Sequence, residues 1–114
     1  VRAARDADRL LAVDFSYRFT AAAQALRAAM ADGALGQLVG AELVFHNAYG
    51  PDKGWYRSRA EAGGGCVMDL GVHLLDLLTW LTGDAVEVIT SSALFSAGAP
   101  WTEDHVEDFA QCQL

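Results

Sequence analysis

Residues 62–83, AGGGCVMDLGVHLLDLLTWLTG, constrain this chain more than any other stretch. An apolar run of that length predicts a helix buried on most of its circumference, yet it carries Asp69, His73 and Asp76. An unpaired buried charge costs several kcal/mol or is neutralised by a shifted pKa, so the three must share one side. At about 100° per residue, Asp69, His73, Asp76 and Trp80 fall within a single narrow sector. Nearly every other position from Val67 to Leu81 is apolar, and Gly71 lies opposite, where a missing side chain lets the helix approach a sheet. The pattern is a packed helix that shows one polar line to something else.

That line has a bland reading, a solvated face of an amphipathic helix. Its composition argues against this, because Lys, Arg and Glu are missing from it; it holds two short carboxylates, an imidazole and an indole. A carboxylate four residues from an imidazole is within reach of it, orients it and raises its basicity, as a general base near neutral pH requires. Metal chelation is the other chemical option for Asp and His at that spacing. Cys66 sits at the edge of the sector, but no further His or Glu has recognisable ligand spacing, so no metal is expected. The Gly63–Gly65 triplet lacks the Lys-Ser/Thr of a P-loop and the G-x-G-x-x-G of a dinucleotide fingerprint. Its glycines are expected to reverse the loop and bring the helix start against a ligand or other backbone.

Around this helix the chain reads as alternating elements. VRAARDADR is the end of a helix and LLAVDFSY a strand. Thr20 caps a helix over AAAQALRAAMAD, with Ala22, Leu26, Ala29, Met30 and Gly33 on one face and Gly33 as its stop. QLVGAELVFHNAY is a second strand, and GPDKGWYRSRAEAGGG a loop rich in Gly and charge. After Gly83 come the strands AVEVITSSALFSA and HVEDFAQCQL, joined by a turn with Gly98 and Pro100. This order predicts an α/β (α+β) fold, an open, mostly antiparallel or mixed sheet with helices on one face. The first residue is Val1 and the last run is strand-like with no turn after it, so the sequence reads as part of a longer protein.

Bulk properties narrow the partners. The 114 residues are 53% hydrophobic, which fits a folded domain rather than disorder. Fifteen acidic against eight basic residues give a net charge of −7, which argues against nucleic acid or an anionic membrane. No run reaches the ~18–20 uninterrupted apolar residues of a membrane span, and none reads as a signal peptide. Cys66 and Cys112 make no disulfide framework, so a cytoplasmic location is expected.

GWYRSRAEAGGGCVMDLGVHLLDLLTWLTG resembles the Gfo/Idh/MocA family (glucose–fructose oxidoreductase, inositol dehydrogenase and the rhizopine-catabolism protein MocA), through a G-G-G-x-x-x-D-x-G-x-H-x-x-D segment. LLAVDFSYRF, MADGALGQLVGAELVF and VEDFAQCQL resemble that family's last nucleotide-domain strand, the following helix and first sheet strand, and a middle strand of its large sheet. The resemblance implies that residues 1–19 are the last helix and strand of a Rossmann domain and residues 20–114 an incomplete substrate-binding and catalytic domain. It implies an oxidoreductase using NAD or NADP on a hydroxyl of a sugar or cyclitol, with Asp69 and His73 catalytic. His73 is expected to take the hydroxyl proton and Asp69 to position substrate. Arg18, His46, Asn47, Trp55, Tyr56, Arg57 and Asp76 are candidate substrate ligands, Asp76 more as support for His73. The family's G-x-G-x-x-G and Glu-Lys-Pro motifs are absent from these residues, so the main cofactor contacts lie elsewhere and this segment alone is expected to be inactive. The competing expectation is a non-catalytic binding or oligomerisation module of the same fold, and either way a homo-oligomer formed through the sheet face.

Overall fold

The computed structural model describes residues 1–48, 50, 52–83 and 90–114. Helix α1 (Arg2–Asp6) opens the chain, and a 3₁₀ turn (Ser16–Phe19) leads into α2 (Ala21–Ala31). A second 3₁₀ turn (Gly54–Arg57) precedes the short α3 (Arg59–Ala62), then a π-helical turn (Val67–Gly71) runs directly into α4 (Val72–Thr82). Strands β1 (Ser91–Ser96), β2 (Ala99–Pro100) and β3 (Phe109–Gln113) form an antiparallel sheet in the order β2-β1-β3. The architecture is α/β with an open antiparallel sheet.

The helix boundaries follow the sequence signals. Thr20 accepts a hydrogen bond from the Ala23 amide through its hydroxyl oxygen, 3.3 Å, and so caps α2. The helix ends at Ala31, two residues before Gly33, whose φ is +72°. The expected face is buried only in part: Ala29 and Met30 are half-buried while Ala22 and Leu26 are exposed, and Ala23 beside it is buried. Ala23 and Arg27 lie one turn apart towards α4, where the Arg27 guanidinium stands 4.4 Å over the Trp80 ring. The small alanine permits that approach; Leu26 would hold the helices apart.

The strand expectations divide. β1 and β3 pair from Ser91↔Gln113 to Phe95↔Phe109, and the two phenylalanines meet edge to face at 5.7 Å. A two-residue turn at Ala97 and Gly98, both with positive φ, returns β1 into β2. Pro100 sits on the edge strand, where its missing N–H leaves no ladder bond unmade. Residues 84–89, the start of the expected strand over 85–97, lie outside the described residues, as does Tyr49. The stretches 10–17 and 37–49, expected as strands, form no ladder among the described residues. A strand exists only where a neighbour supplies hydrogen-bond partners, and no described strand lies beside either. Leu10 and Val39 are accordingly 96% and 97% exposed.

The radius of gyration is 16.9 Å, against ~13 Å for a compact domain of this length. The molecule is therefore open, with α4 half-buried along its length rather than sunk in a closed core. Among the described residues Ala23 is the buried hydrophobic side chain and Glu107 the buried charged one.

Candidate functional site

The helix that carries Asp69, His73 and Asp76 is regular only from Val72 onward. Its first turn, Val67–Gly71, is π-helical. A π turn holds an extra residue and rotates what precedes it by part of the ~100° step of an α-helix. Asp69 lies within that π turn, and His73, Asp76 and Trp80 lie on the regular helix after it. Asp69 is exposed on the widened turn, whereas His73, Asp76 and Trp80 are half-buried on α4. Asp69 and His73 make no hydrogen bond to each other. π turns are rare and recur at functional sites.

His73 lies in an aromatic cluster. The Tyr17 ring meets its imidazole at 5.1 Å and the Phe15 ring at 6.1 Å, both edge-on, and Phe45 packs edge-on against Tyr17 at 5.8 Å. The Nδ1 atom is shielded from solvent and has no hydrogen-bond partner among the described residues. Nε2 is then the nitrogen left to meet a ligand. These walls come from 3₁₀-turn residues and the stretch around Phe45, none of which the sequence reading selected. Their signal was present in DFSYRF and VFHN, where an aromatic neighbours a more conspicuous Arg or His.

Arg18 and Asp76, both candidate substrate ligands, are joined to one another. The guanidinium donates from Nε to Asp76 Oδ2 at 2.6 Å and from Nη2 to Oδ1, a two-pronged ion pair across 58 residues. The Asp76 side chain is 8% exposed and that of Arg18 34%. The hydrogen bond to Asp76 raises the Arg18 pKa, with burial opposing and the Asp76 charge adding. The pair straps the 3₁₀ turn onto α4, and with it Tyr17 and Phe15 onto His73. Gln24 Nε2 adds a 2.6 Å hydrogen bond to the Arg18 carbonyl oxygen from α2. Asp76 is thus bound to Arg18, which neighbours Tyr17 in the wall around His73.

The remaining candidates lie on the stretch around Phe45 and on the second 3₁₀ turn. His46 and Asn47 are exposed beside Phe45. Trp55 stacks on Tyr56 at 4.0 Å and 18° on the second 3₁₀ turn, and Arg57 is exposed on the same turn. Among the described residues no three of His, Cys, Asp and Glu come together as metal ligands.

In the glycine triplet, Gly63 and Gly64 lie against the Met68 side chain and Gly65 against the Glu107 backbone. Gly63, φ +79°, ends α3 in the left-handed conformation that a side chain disfavours. The start of the π turn then lies against Glu107, whose carboxylate Oε1 accepts from the Gly65 amide at 2.9 Å and the Val67 amide at 3.0 Å. The Cys66 amide donates to the Glu107 carbonyl oxygen at 2.8 Å. Burial pushes the Cys66 thiol up, and the charges of Glu107 and then Asp108 push it further.

Residues 23–114 match the GFO/IDH/MocA C-terminal domain family. The chain is 38% identical over 109 residues to 1,5-anhydro-D-fructose reductase of Ensifer adhaerens, which covers 93% of this chain and 32% of that protein. It is 32% identical over 81 residues to D-glucoside 3-dehydrogenase of Escherichia coli (strain K12), covering 70% of this chain and 23% of the relative. The chain spans about a third of the first relative's length and under a quarter of the second's. No solved structure matches the chain significantly. The family match over residues 23–114, most of the chain, makes this chain a member of the GFO/IDH/MocA family.

Proposed function

We propose that this chain is the substrate-binding and catalytic part of an oxidoreductase that moves hydride between NAD or NADP and a hydroxyl of a sugar or cyclitol. One observation carries the reading: His73 stands half-buried in an aromatic wall, Nδ1 shielded and unpartnered among the described residues, on the family's own G-G-G-x-x-x-D-x-G-x-H segment. Residues 1–19 then belong to the end of the nucleotide-binding domain and residues 20–114 to the substrate domain.

The chemistry asked of these residues is proton transfer and positioning. NAD(P), when bound, accepts or supplies the hydride. His73 Nε2 takes the hydroxyl proton as the carbon loses hydride, or returns it in reduction. Phe15 and Tyr17 exclude water from the ring, and the Arg18–Asp76 pair keeps them there. Asp69, exposed on the π turn, accepts hydrogen bonds from the other hydroxyls of a polyhydroxyl substrate. An imidazole with an apolar aromatic wall suits a nicotinamide ring, which needs water kept from the reacting carbon. The dinucleotide's phosphates find no glycine fingerprint in these residues.

The names of the two relatives favour a sugar over a cyclitol. Under the same proposal the enzyme works in the cytoplasm as a homo-oligomer through the sheet face, with neither nucleic acid nor membrane as partner. The 24-residue stretch Arg59–Thr82 is apolar enough by length and composition to cross a bilayer. Its left-handed break at Gly63 and its Asp69, His73 and Asp76 favour a catalytic helix instead.

The test uses the full-length protein with 1,5-anhydro-D-fructose and NADH or NADPH, and with a D-glucoside and NAD⁺ or NADP⁺. His73→Ala is expected to lower kcat by ~10²–10⁴-fold, the usual contribution of a positioned general base, while cofactor binding persists. His73→Asn should behave alike, because it keeps polarity but cannot accept a proton near neutral pH. A kcat within a few-fold of wild type would overturn the assignment, and a rise in KM alone would reduce His73 to a substrate ligand.

A further inference from the structure

Glu107 is buried, 5% exposed, and is the one charged side chain so placed among the described residues. It lies 42 residues from Gly65 in sequence and belongs to neither helix nor sheet. Three consecutive backbone amides at the start of the π turn, those of Gly65, Cys66 and Val67, end on this one residue, two on its carboxylate and one on its carbonyl. Helix-start amides are the orphan donors of a helix, and a carboxylate there is favoured by the helix dipole as well. The neighbouring residue ties the same loop to the sheet: the Asp108 amide donates to Phe95 O at 3.0 Å, and Asp108 Oδ2 accepts from the Ala97 amide at 2.7 Å. A continuous line of hydrogen bonds thus runs from β1 through Glu107 to the turn on which Asp69 sits, two residues beyond Val67.

The register of that turn is not what a regular helix would adopt. Without an anchor at Gly65–Val67, the run from Cys66 to Thr82 could relax to a uniform α-helix, which would change the direction of Asp69 relative to His73. We propose that Glu107 is a positioning residue for the site: by clamping the amides of Gly65, Cys66 and Val67 to the sheet it holds the π turn, and so sets where Asp69 stands relative to His73. The proposal rests on the reading of Asp69 and His73 as the catalytic pair. It assigns Glu107 no contact with substrate.

The experiment compares Glu107→Ala and Glu107→Gln in the full-length protein, with 1,5-anhydro-D-fructose and the preferred nicotinamide as probes. Glu107→Ala is expected to lower kcat by ~10–100-fold, as misplacement by about an ångström does, with the KM for the nucleotide within twofold. Glu107→Gln keeps an oxygen to accept from Gly65 and Val67, and should restore kcat to within about threefold of wild type. Amide exchange at Gly65 and Val67 should be slow in wild type and Glu107→Gln, and fast in Glu107→Ala. A Glu107→Ala protein that folds, loses this protection and keeps its kcat would overturn the proposal, as would protection that survives the alanine. If Glu107→Ala fails to fold, Glu107→Gln decides: a protected turn with near-normal kcat supports the clamp, and a protected turn with the full loss overturns it. Asp69→Ala in the same assay separates the two claims. Turnover lost there but kept in Glu107→Ala defeats the Glu107 role alone, whereas turnover kept in Asp69→Ala defeats the site itself.

Discussion

Gly65 and Glu107 share space that leaves no room for a side chain: a Cβ on Gly65 would stand 1.9 Å from the Glu107 carbonyl oxygen and 2.7 Å from its amide nitrogen. The obstructing atoms are backbone, which cannot swing aside as a flexible side chain can.

Gly65→Ala is therefore expected to destabilise the full-length protein by about 2–4 kcal/mol, since the Glu107 loop must move and its hydrogen bonds break. Gly71→Ala is the control, because the nearest atom to a Cβ there is Val67 Cγ1 at 3.5 Å, ordinary contact. Within a helix that change should be neutral or stabilising by up to about 1 kcal/mol. Urea unfolding of the two variants side by side checks the contrast, and equal losses would mean the approach at Gly65 carries no weight.

Arg18→Ala leaves the nearly buried Asp76 carboxylate without its partner. Removing one member of such a pair destabilises because the other charge stays desolvated. The Tm should fall by several degrees, and Arg18→Lys should recover little, because one ammonium cannot reproduce the two-pronged geometry of Nε and Nη2. Adding Asp76→Asn to Arg18→Ala should restore part of the loss, so the double-mutant cycle is non-additive. Strict additivity would show that the two groups are not coupled.

Cys66 and Cys112 should separate by alkylation. Cys112 is exposed, whereas Cys66 is half-buried with its thiol pushed up by burial first and by the Glu107 charge second. A raised thiol pKa means less thiolate at any given pH, and the thiolate is the nucleophile. Iodoacetamide at pH 8 should modify Cys112 first and Cys66 at least about tenfold more slowly, with the Cys66 rate still rising as pH passes the ordinary thiol range. Glu107→Gln removes one negative neighbour and should move the Cys66 inflection down. Peptide mass mapping over a pH series reads both effects, and equal rates at the two cysteines would contradict them.

Much of this was open to reading in one dimension because it depends on local spacing. The Thr20 cap, the apolar run over residues 67–81 and the resemblance of the Gly-Asp-Gly-His segment are properties of neighbours along the chain. So is the hairpin at Ala97–Gly98, whose tight return needs only residues that tolerate positive φ. The triplet Gly63–Gly65 announced a close approach, though not what approached.

What the sequence by itself determined is the existence of a half-buried helix bearing Asp69, His73 and Asp76, and the family to which such a helix belongs. The tertiary structure alone decided which groups its side chains meet. Periodicity assumes a uniform 100° step, so it could not foresee the π turn over Val67–Gly71 that carries Asp69. It also treats every polar residue as facing outward to a ligand, whereas Arg18 and Asp76, 58 residues apart, neutralise each other. Glu107 carried no local signal because its partners are backbone amides some 40 residues away. The stretches at 10–17 and 37–49 show the same limit: an apolar alternating segment becomes a strand only when another chain segment offers its N–H and C=O groups.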